Sequence, residues 1–306
     1  MPGLSVPAIA AMMNRSFPIR GIFMRLVIKL SAPFLLLMTT AIPCHAAGPA
    51  QPSQIATKTF HAISALAQHP HAEVQAGKGY KVIGCGARVN WGGAGNLLTA
   101  LYPSDHNSCI ADAKDHDVAS PATIDAWAIA LYDPDNRWDV KIFRSTSGPA
   151  PHPIQTVKVA PGYTMTGGGA QDNYEGAGNL LTASFPASAD SWEARGKDHA
   201  HSDPASLTAF AIGIRPLAAT VPSLRIQMVS VTSGVTNHPA QTVSLPPGVI
   251  LASGGALADY KGAGSLLTAS FPVDDGSGWI AEAKDHEFPD ASALTVWAIG
   301  IARPGS

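Results

Sequence analysis

Apolar residues along this chain come in short runs bounded by Gly, Pro, Asn and Ser, and inside the runs large and small side chains alternate. Phe210, Ile212 and Ile214 alternate with Ala211 and Gly213, the period of two that puts successive side chains on opposite faces of a β-strand. Enrichment in β-branched and aromatic residues points the same way. Between residues 139 and 214 the pattern predicts six strands, at 139–145, 155–159, 163–170, 179–184, 191–196 and 206–214. In the last strand the large side is expected to face a core, and the small side to meet a neighbouring sheet or module.

This pattern occurs three times. The run Gly-Ala-Gly-Asn-Leu-Leu-Thr-Ala at 93–100 returns at 176–183 and, with Ser265 in place of Asn, at 262–269, so the period is 83 and then 86 residues. His69-Pro70, His152-Pro153 and His238-Pro239 hold the register upstream. Lys114-Asp115-His116, Lys197-Asp198-His199 and Lys284-Asp285-His286 hold it downstream, followed by Trp127, Phe210 and Trp297, each before Ala-Ile. The extra residues of the third copy fall before Gly262 and near 274–278, among turn formers, where insertions are tolerated. The expected fold is all-β: three homologous, antiparallel, six-stranded modules of sandwich or jelly-roll type at 57–134, 138–217 and 222–304. Each is near the lower size limit for standing alone, so the three are expected to pack about a pseudo-threefold axis. A single β-prism built from three sheets is the alternative.

Composition adds a compartment. Residues 1–46 hold Arg15, Arg20, Arg25 and Lys29, no acidic residue, an apolar stretch at 30–42 and a small-residue end at Ala46-Ala47. This is the grammar of a secretory signal peptide, followed by a linker at 47–56. An apolar stretch of about 13 residues is short for a membrane span of roughly 20. Met24 offers a second start, because 24–29 already forms a charged leader, and Pro43 before Cys44 departs from a lipoprotein signal. Without the leader, 16 of the 20 basic residues face 22 acidic ones, a net near minus six that gives nucleic-acid binding no electrostatic footing. Only 14 % of residues are charged, while Gly and Pro number 29 and 25 of 306, which excludes coiled coils and long helical bundles.

Two cysteines remain, Cys85 and Cys109, in a compartment where a disulfide persists. Their counterparts are Gly168 and Gly254 for the first, Trp192 and Trp279 for the second. One copy has the cysteine pair and two have the Gly–Trp pair, so the two positions are expected to touch: a disulfide in one module, an indole over a glycine in the others. A free thiol or a catalytic role is the rival reading. The pattern Gly84-Cys85, Leu97 to Ala100, Asn107-Ser108-Cys109, Asp115 and Ala128-Ile129 resembles the repeated modules in the cysteine- and histidine-rich C-terminal domain of the LDL-receptor-regulating proprotein convertase. The resemblance covers about the last 55 residues of each repeat. It implies six-stranded, resistin-like β modules about a pseudo-threefold axis and a non-catalytic domain that binds a protein or a surface.

Two constellations could carry chemistry. Asn90-Trp91, Asn173-Tyr174 and Asp259-Tyr260 put an amide or carboxylate beside a ring just before the glycine loop, a combination suited to a sugar. Against this, aromatics at strand ends commonly cover their own core. Asp115-His116, Asp198-His199 and Asp285-His286 form the other group. They could ligate metals or gather on the axis as one cluster. The plainer reading has each Asp hold backbone amides of the next turn, with Lys and His at the surface or between modules. His201, Asp112, Asp117 and Glu287, the extra donors nearby, do not repeat in register, so no metal and no cofactor is assigned. The histidine before each proline is expected to cap a loop or pack on another module, and the Tyr102, Phe185 and Phe271 pairs with proline to punctuate strand ends.

No Gly-x-Ser-x-Gly elbow, His-Glu-x-x-His helix or phosphate loop occurs. The sequence therefore predicts a secreted or periplasmic, bacterial, lectin-like binding protein. It is expected to be monomeric and non-enzymatic, without a membrane span in the mature chain, and to recognise a carbohydrate or a cell-surface protein through repeated loops. A structural or interaction protein of the envelope and, further off, a hydrolase using Asp and His are the alternatives.

Overall fold

A computed structural model describes residues 55–302; the expected leader and most of the linker lie outside them. The described chain is eighteen strands in three antiparallel six-stranded sheets. The first module comprises β1 (Thr57–Ile63), β2 (His71–Gln75), β3 (Tyr80–Asn90), β4 (Leu97–Pro103), β5 (Ser108–Lys114) and β6 (Thr123–Tyr132). The second comprises β7 (Trp138–Thr146), β8 (Ile154–Lys158), β9 (Thr164–Asn173), β10 (Leu180–Pro186), β11 (Ser191–Lys197) and β12 (Ser206–Pro216). The third comprises β13 (Arg225–Thr232), β14 (Ala240–Ser244), β15 (Ile250–Asp259), β16 (Leu266–Pro272), β17 (Gly278–Lys284) and β18 (Ala293–Ala302). All six strands expected in the second copy are present, within a few residues at their ends.

Each module splits its strands three and three between two sheets, and every sheet is shared by two modules. The orders are β2-β5-β4-β9-β12-β7, β13-β18-β15-β10-β11-β8 and β1-β6-β3-β16-β17-β14. The three modules thus close a cycle, and the joins are equivalent two-residue registers: Ala100 and Leu101 with Gln171 and Ala170, Ala183 and Ser184 with Leu257 and Ala256, Ala269 and Ser270 with Arg88 and Ala87. Around two of the joins the backbones come so close that a side chain would not fit, and at the third, by Gly86, an added Cβ would be tight at 3.1 Å. A Cβ on Gly169 would lie 2.4 Å from the Leu101 carbonyl oxygen, and one on Gly255 2.5 Å from that of Ser184. A ring from each module then stacks across the boundary: Tyr102 on Phe210, Phe185 on Trp297 and Phe271 on Trp127, with centres 4.8 to 5.0 Å apart. These strand-end aromatics therefore join modules as well as ending strands.

Inside the modules the expected exchange of cysteines for an indole is present. Cys85 and Cys109 form a disulfide. In the other two modules Trp192 and Trp279 are fully buried over Gly168 and Gly254, where an added Cβ would lie 2.3 Å from the indole. A third position follows the swap: Ser184 and Ser270 accept the indole N–H at 3.0 and 2.8 Å, and their counterpart beside the disulfide is Leu101. A buried indole needs a polar partner and a disulfide does not. One sequence expectation is reversed. Ala211 pairs with Gly168 on the side of the module's own core, whereas Phe210 pairs with Gly169 on the side that meets the first module. The indole takes the room inside the sandwich, so only small residues fit opposite it and the large ones turn outward to the neighbour.

Replacing Cys109 with Ala is expected to cost about 3 kcal/mol, as opening a loop of this length should. The triple change Cys85→Gly, Leu101→Ser, Cys109→Trp should recover most of that loss in denaturant unfolding, whereas Cys109→Trp alone should not, because the indole would meet the Cys85 side chain and find no acceptor.

Candidate functional site

Strands β5, β11 and β17 end in Lys114, Lys197 and Lys284, all buried. A buried ammonium needs acceptors, and each finds them in the next module. Lys114 lies over the Tyr174 ring, 3.6 Å from its centre, Lys197 over Tyr260 at 4.1 Å and Lys284 over Trp91 at 4.0 Å. The same nitrogens donate to the glycine loops: Lys114 to the Gly176 carbonyl at 3.2 Å, Lys284 to Ala94 at 2.6 Å, and Lys197 to Gly262 at 3.0 Å, to Gly264 at 2.8 Å and to Ala263. Burial pulls all three lysines down to about 8, against the attraction of Asp172 and Asp203 at Lys114, Asp290 at Lys197 and Asp285 at Lys284. Each loop is pinned by its own module as well: Gly176 and Gly262 donate their amides to Asp203 and Asp290 at 3.0 and 2.8 Å, and the Ser120 hydroxyl donates to the Gly92 carbonyl at 2.7 Å.

The expected role of the aspartates holds. Asp115, Asp198 and Asp285 accept the amides of Ser120, Asp203 and Asp290. Two of the His-Pro histidines cap these carboxylates, His69 at 3.5 Å from Asp115 and His238 at 3.0 Å from Asp285.

The histidines after the aspartates do something else: all three are buried and meet on the axis. Ring centres of His116, His199 and His286 are 5.1, 5.3 and 5.4 Å apart. His199 and His286 hold loop carbonyls of the next module with Nδ1, Ala263 at 2.8 Å and Ala94 at 2.7 Å. Burial depresses both His116, to about 4, and His199; at His116 the Asp117 carboxylate opposes this and the other two imidazoles add to it. Three imidazoles with the Glu287 carboxylate beside them make a donor set of the kind that holds a borderline divalent metal. Asp117 and Glu287 were set aside in the sequence for not repeating; an axial cluster needs no repetition, because one carboxylate serves all three modules. Leu97, Leu180 and Leu266, paired with the three buried lysines, form a small apolar cluster of their own.

The predicted sugar residues lie at the module boundaries. Tyr260 and Asp259 line a cleft of about 250 Å³ with His152, Ile154 and Arg195 of the second module. Tyr174 lines the equivalent cleft of about 240 Å³ with His69, Asp112, Gln171 and Asp172. Trp91 meets His238 edge-on at 5.8 Å at the third boundary. The rings are half-buried, not freely exposed, with one face given to a lysine. Asn90 and Asn173 turn to neighbouring strands, donating to Asp125 at 2.5 Å and to Thr208 at 3.1 Å, while Asp259 pairs with Lys261 at 2.9 Å. Sequence reasoning missed Asp172: it is buried with neither carboxylate oxygen hydrogen-bonded, and burial pushes it up to about 7 despite Lys114. Its counterparts are Val89 and Ala258, an apolar register in which a lone acid was the available signal. No protein-family model and no curated protein matches the chain.

Two measurements check this electrostatic picture. His116 binds fewer protons folded than unfolded between about pH 4 and 6.5, so stability rises with pH across that window and is lost as pH falls through it. Urea midpoints should show a loss of about 2 kcal/mol between pH 7 and pH 5 from this group, flattened in His116→Gln. Lys197→Met strips three loop carbonyls of a donor where Lys114→Met strips one. The expected costs are about 3 and about 1 kcal/mol, read by denaturant unfolding.

Proposed function

We propose that this chain is an exported, non-enzymatic binding protein whose module boundaries each take one sugar ring of a surface glycan. The observation that carries the reading is the pair of equivalent clefts that set an aromatic ring from one module beside the His-Pro histidine and a charged residue of the neighbour, Tyr260 with His152 and Arg195, Tyr174 with His69 and Asp112. A ring, an imidazole and a charged hydrogen-bonding group are what a pyranose needs, an apolar face beside partners for its hydroxyls. At about 240–250 Å³ the clefts are smaller than the roughly 300–1,000 Å³ of drug-sized sites, which suits a single residue presented on a chain. The His–Asp pairs favour binding over hydrolysis, since Asp115 and Asp285 are already committed to backbone amides. A binding role also agrees with what the resemblance to the repeated convertase modules implies. The disulfide is compatible with export.

A second reading, an interaction protein of the envelope without a small ligand, draws on the lysine contacts: the aromatic rings already have work in holding modules together. A glycan array probed with the protein and with a His152→Ala, Arg195→Ala variant separates the two. The variant keeps the Lys197–Tyr260 contact and loses the Arg195 contacts with Glu193 and the Phe185 ring, so its melting temperature should fall by only a few degrees while glycan binding weakens at least about tenfold. Glycan binding that is absent in the parent, or unchanged in the variant, overturns the sugar reading.

A further inference from the structure

We infer that the axial histidines are a site for one divalent transition-metal cation of the zinc class, held by Nε2 of His116, His199 and His286, with Glu287 or water completing a tetrahedron. The spacing fits. Three imidazoles bound to one tetrahedral Zn²⁺ at about 2.0–2.1 Å have ring centres about 5.2 Å apart; here they are 5.1, 5.3 and 5.4 Å apart. One ligating atom from each ring and one from Glu287 lie within 4.8 Å of one another, so side-chain adjustment of about an ångström closes the set.

Two of the three outer edges are arranged as ligating histidines require. Nδ1 of His286 and of His199 each face a carbonyl oxygen, Ala94 and Ala263, whereas Nδ1 of His116 has the Asp117 carboxylate 3.1 Å away but outside hydrogen-bond geometry. Partners of this kind place the proton on Nδ1 and leave the lone pair on Nε2, the form that binds metal. The inner edges are poorly satisfied. Nε2 of His286 faces the His116 carbonyl at 3.0 Å, and the rings of His116 and His199 lie against the main chains of His199 and His286 in turn, where their Nε2 atoms make no hydrogen bond of good geometry; each such contact is lone pair against oxygen once Nδ1 carries the proton. Buried nitrogens of this kind cost free energy unless something accepts the lone pair, and a cation accepts all three at once.

Local backbone strain holds the rings in place. After each histidine the chain makes a three-residue turn in which the amide of residue i+2 donates to the histidine carbonyl at 2.6 Å, with φ of +57°, +58° and +60° at Asp117, Ala200 and Glu287. None of these is glycine, so three side chains sit in the left-handed region at equivalent places, the rarer hand of γ-turn. Charge also suits a cation. Asp117 and Glu287 bring two carboxylates to the cluster, while the three nearby ammonium groups are engaged by loop carbonyls and ring faces. The Glu287 side chain is 29 % exposed, a route from solvent to the axis. This site is separate from the clefts, so it stands whether or not they bind sugar.

Purified protein stripped with EDTA and titrated with ZnCl₂ by calorimetry should bind one ion per chain. Co²⁺ in its place should give the intense visible bands of a tetrahedral site. His199→Gln and His286→Gln should each weaken binding at least about a hundredfold, while His61→Gln and His71→Gln, away from the axis, should leave it unchanged. Absence of saturable binding in the folded parent, or binding that survives both axial substitutions, overturns the inference. Should the axial variants not fold, crystals of the parent grown with Zn²⁺ decide it. An anomalous peak within bonding distance of the three Nε2 atoms supports the site, and peaks confined to surface histidines, or none, overturn it.

Discussion

Everything near the axis depends on how closely the three backbones approach one another. A Cβ on Gly84 would lie 2.2 Å from the Ala252 carbonyl oxygen, and one on Gly167 2.6 Å from that of Ile83; the third equivalent position, Ser253, is fully buried among them. With main chains this close, two paired residues suffice at each module boundary, because packing on both faces supplies what a longer ladder would otherwise give. The same proximity has a cost. It buries the inner end of each glycine loop, at Gly95, Gly178 and Gly264, and leaves main-chain groups at the boundary in need of partners, while Ala94, Gly176 and Gly262 stay exposed.

The lysines answer that cost. An apolar side chain at Lys197 could fill the space but could not donate, and its three carbonyl partners would be left bare. A buried cation is weak evidence for net stability, since desolvation offsets much of what its contacts return. What it does secure is register: the ammonium reaches its carbonyls and its ring only when the neighbouring module docks in one place. The repeated Lys-Asp-His triplet thus divides its labour, with aspartate holding its own loop, lysine holding the neighbour's and histidine meeting its two copies.

How much of this the sequence disclosed follows from the range of each interaction. Strands were legible because alternation is local, and the disulfide because the Gly–Trp pair showed what must touch. The reversed faces of β12 were not, since large residues outward and Ala211 inward follow from an indole that arrives from another sheet. Convergence of His116, His199 and His286 was visible only as one arrangement among several. Nothing within a module says that its strands will be shared three and three between two sheets, and that sharing is what brings together side chains more than 80 residues apart. Requiring donors to repeat in register then removed Asp117 and Glu287 from view. Lys114 read only as a flank at the surface or between modules, because its acceptors lie in the following copy.

The repeats also differ where a partner would meet them. The contacts that hold the cycle together recur three times with small changes: a lysine on a ring, a stacked pair, a two-residue join. The cleft walls do not recur. At one position the three copies carry Val89, Asp172 and Ala258, and at another Asp112, Arg195 and Glu282. One cleft therefore holds an acid that burial keeps near neutrality and a second carries a guanidinium in its wall. Three identical sites would raise avidity for a repeating ligand through effective concentration alone. On the proposed reading, unlike clefts would select instead for a ligand whose groups differ in the same order. The symmetry of the fold is thus confined to the axis, and the chemistry offered at its margins is asymmetric.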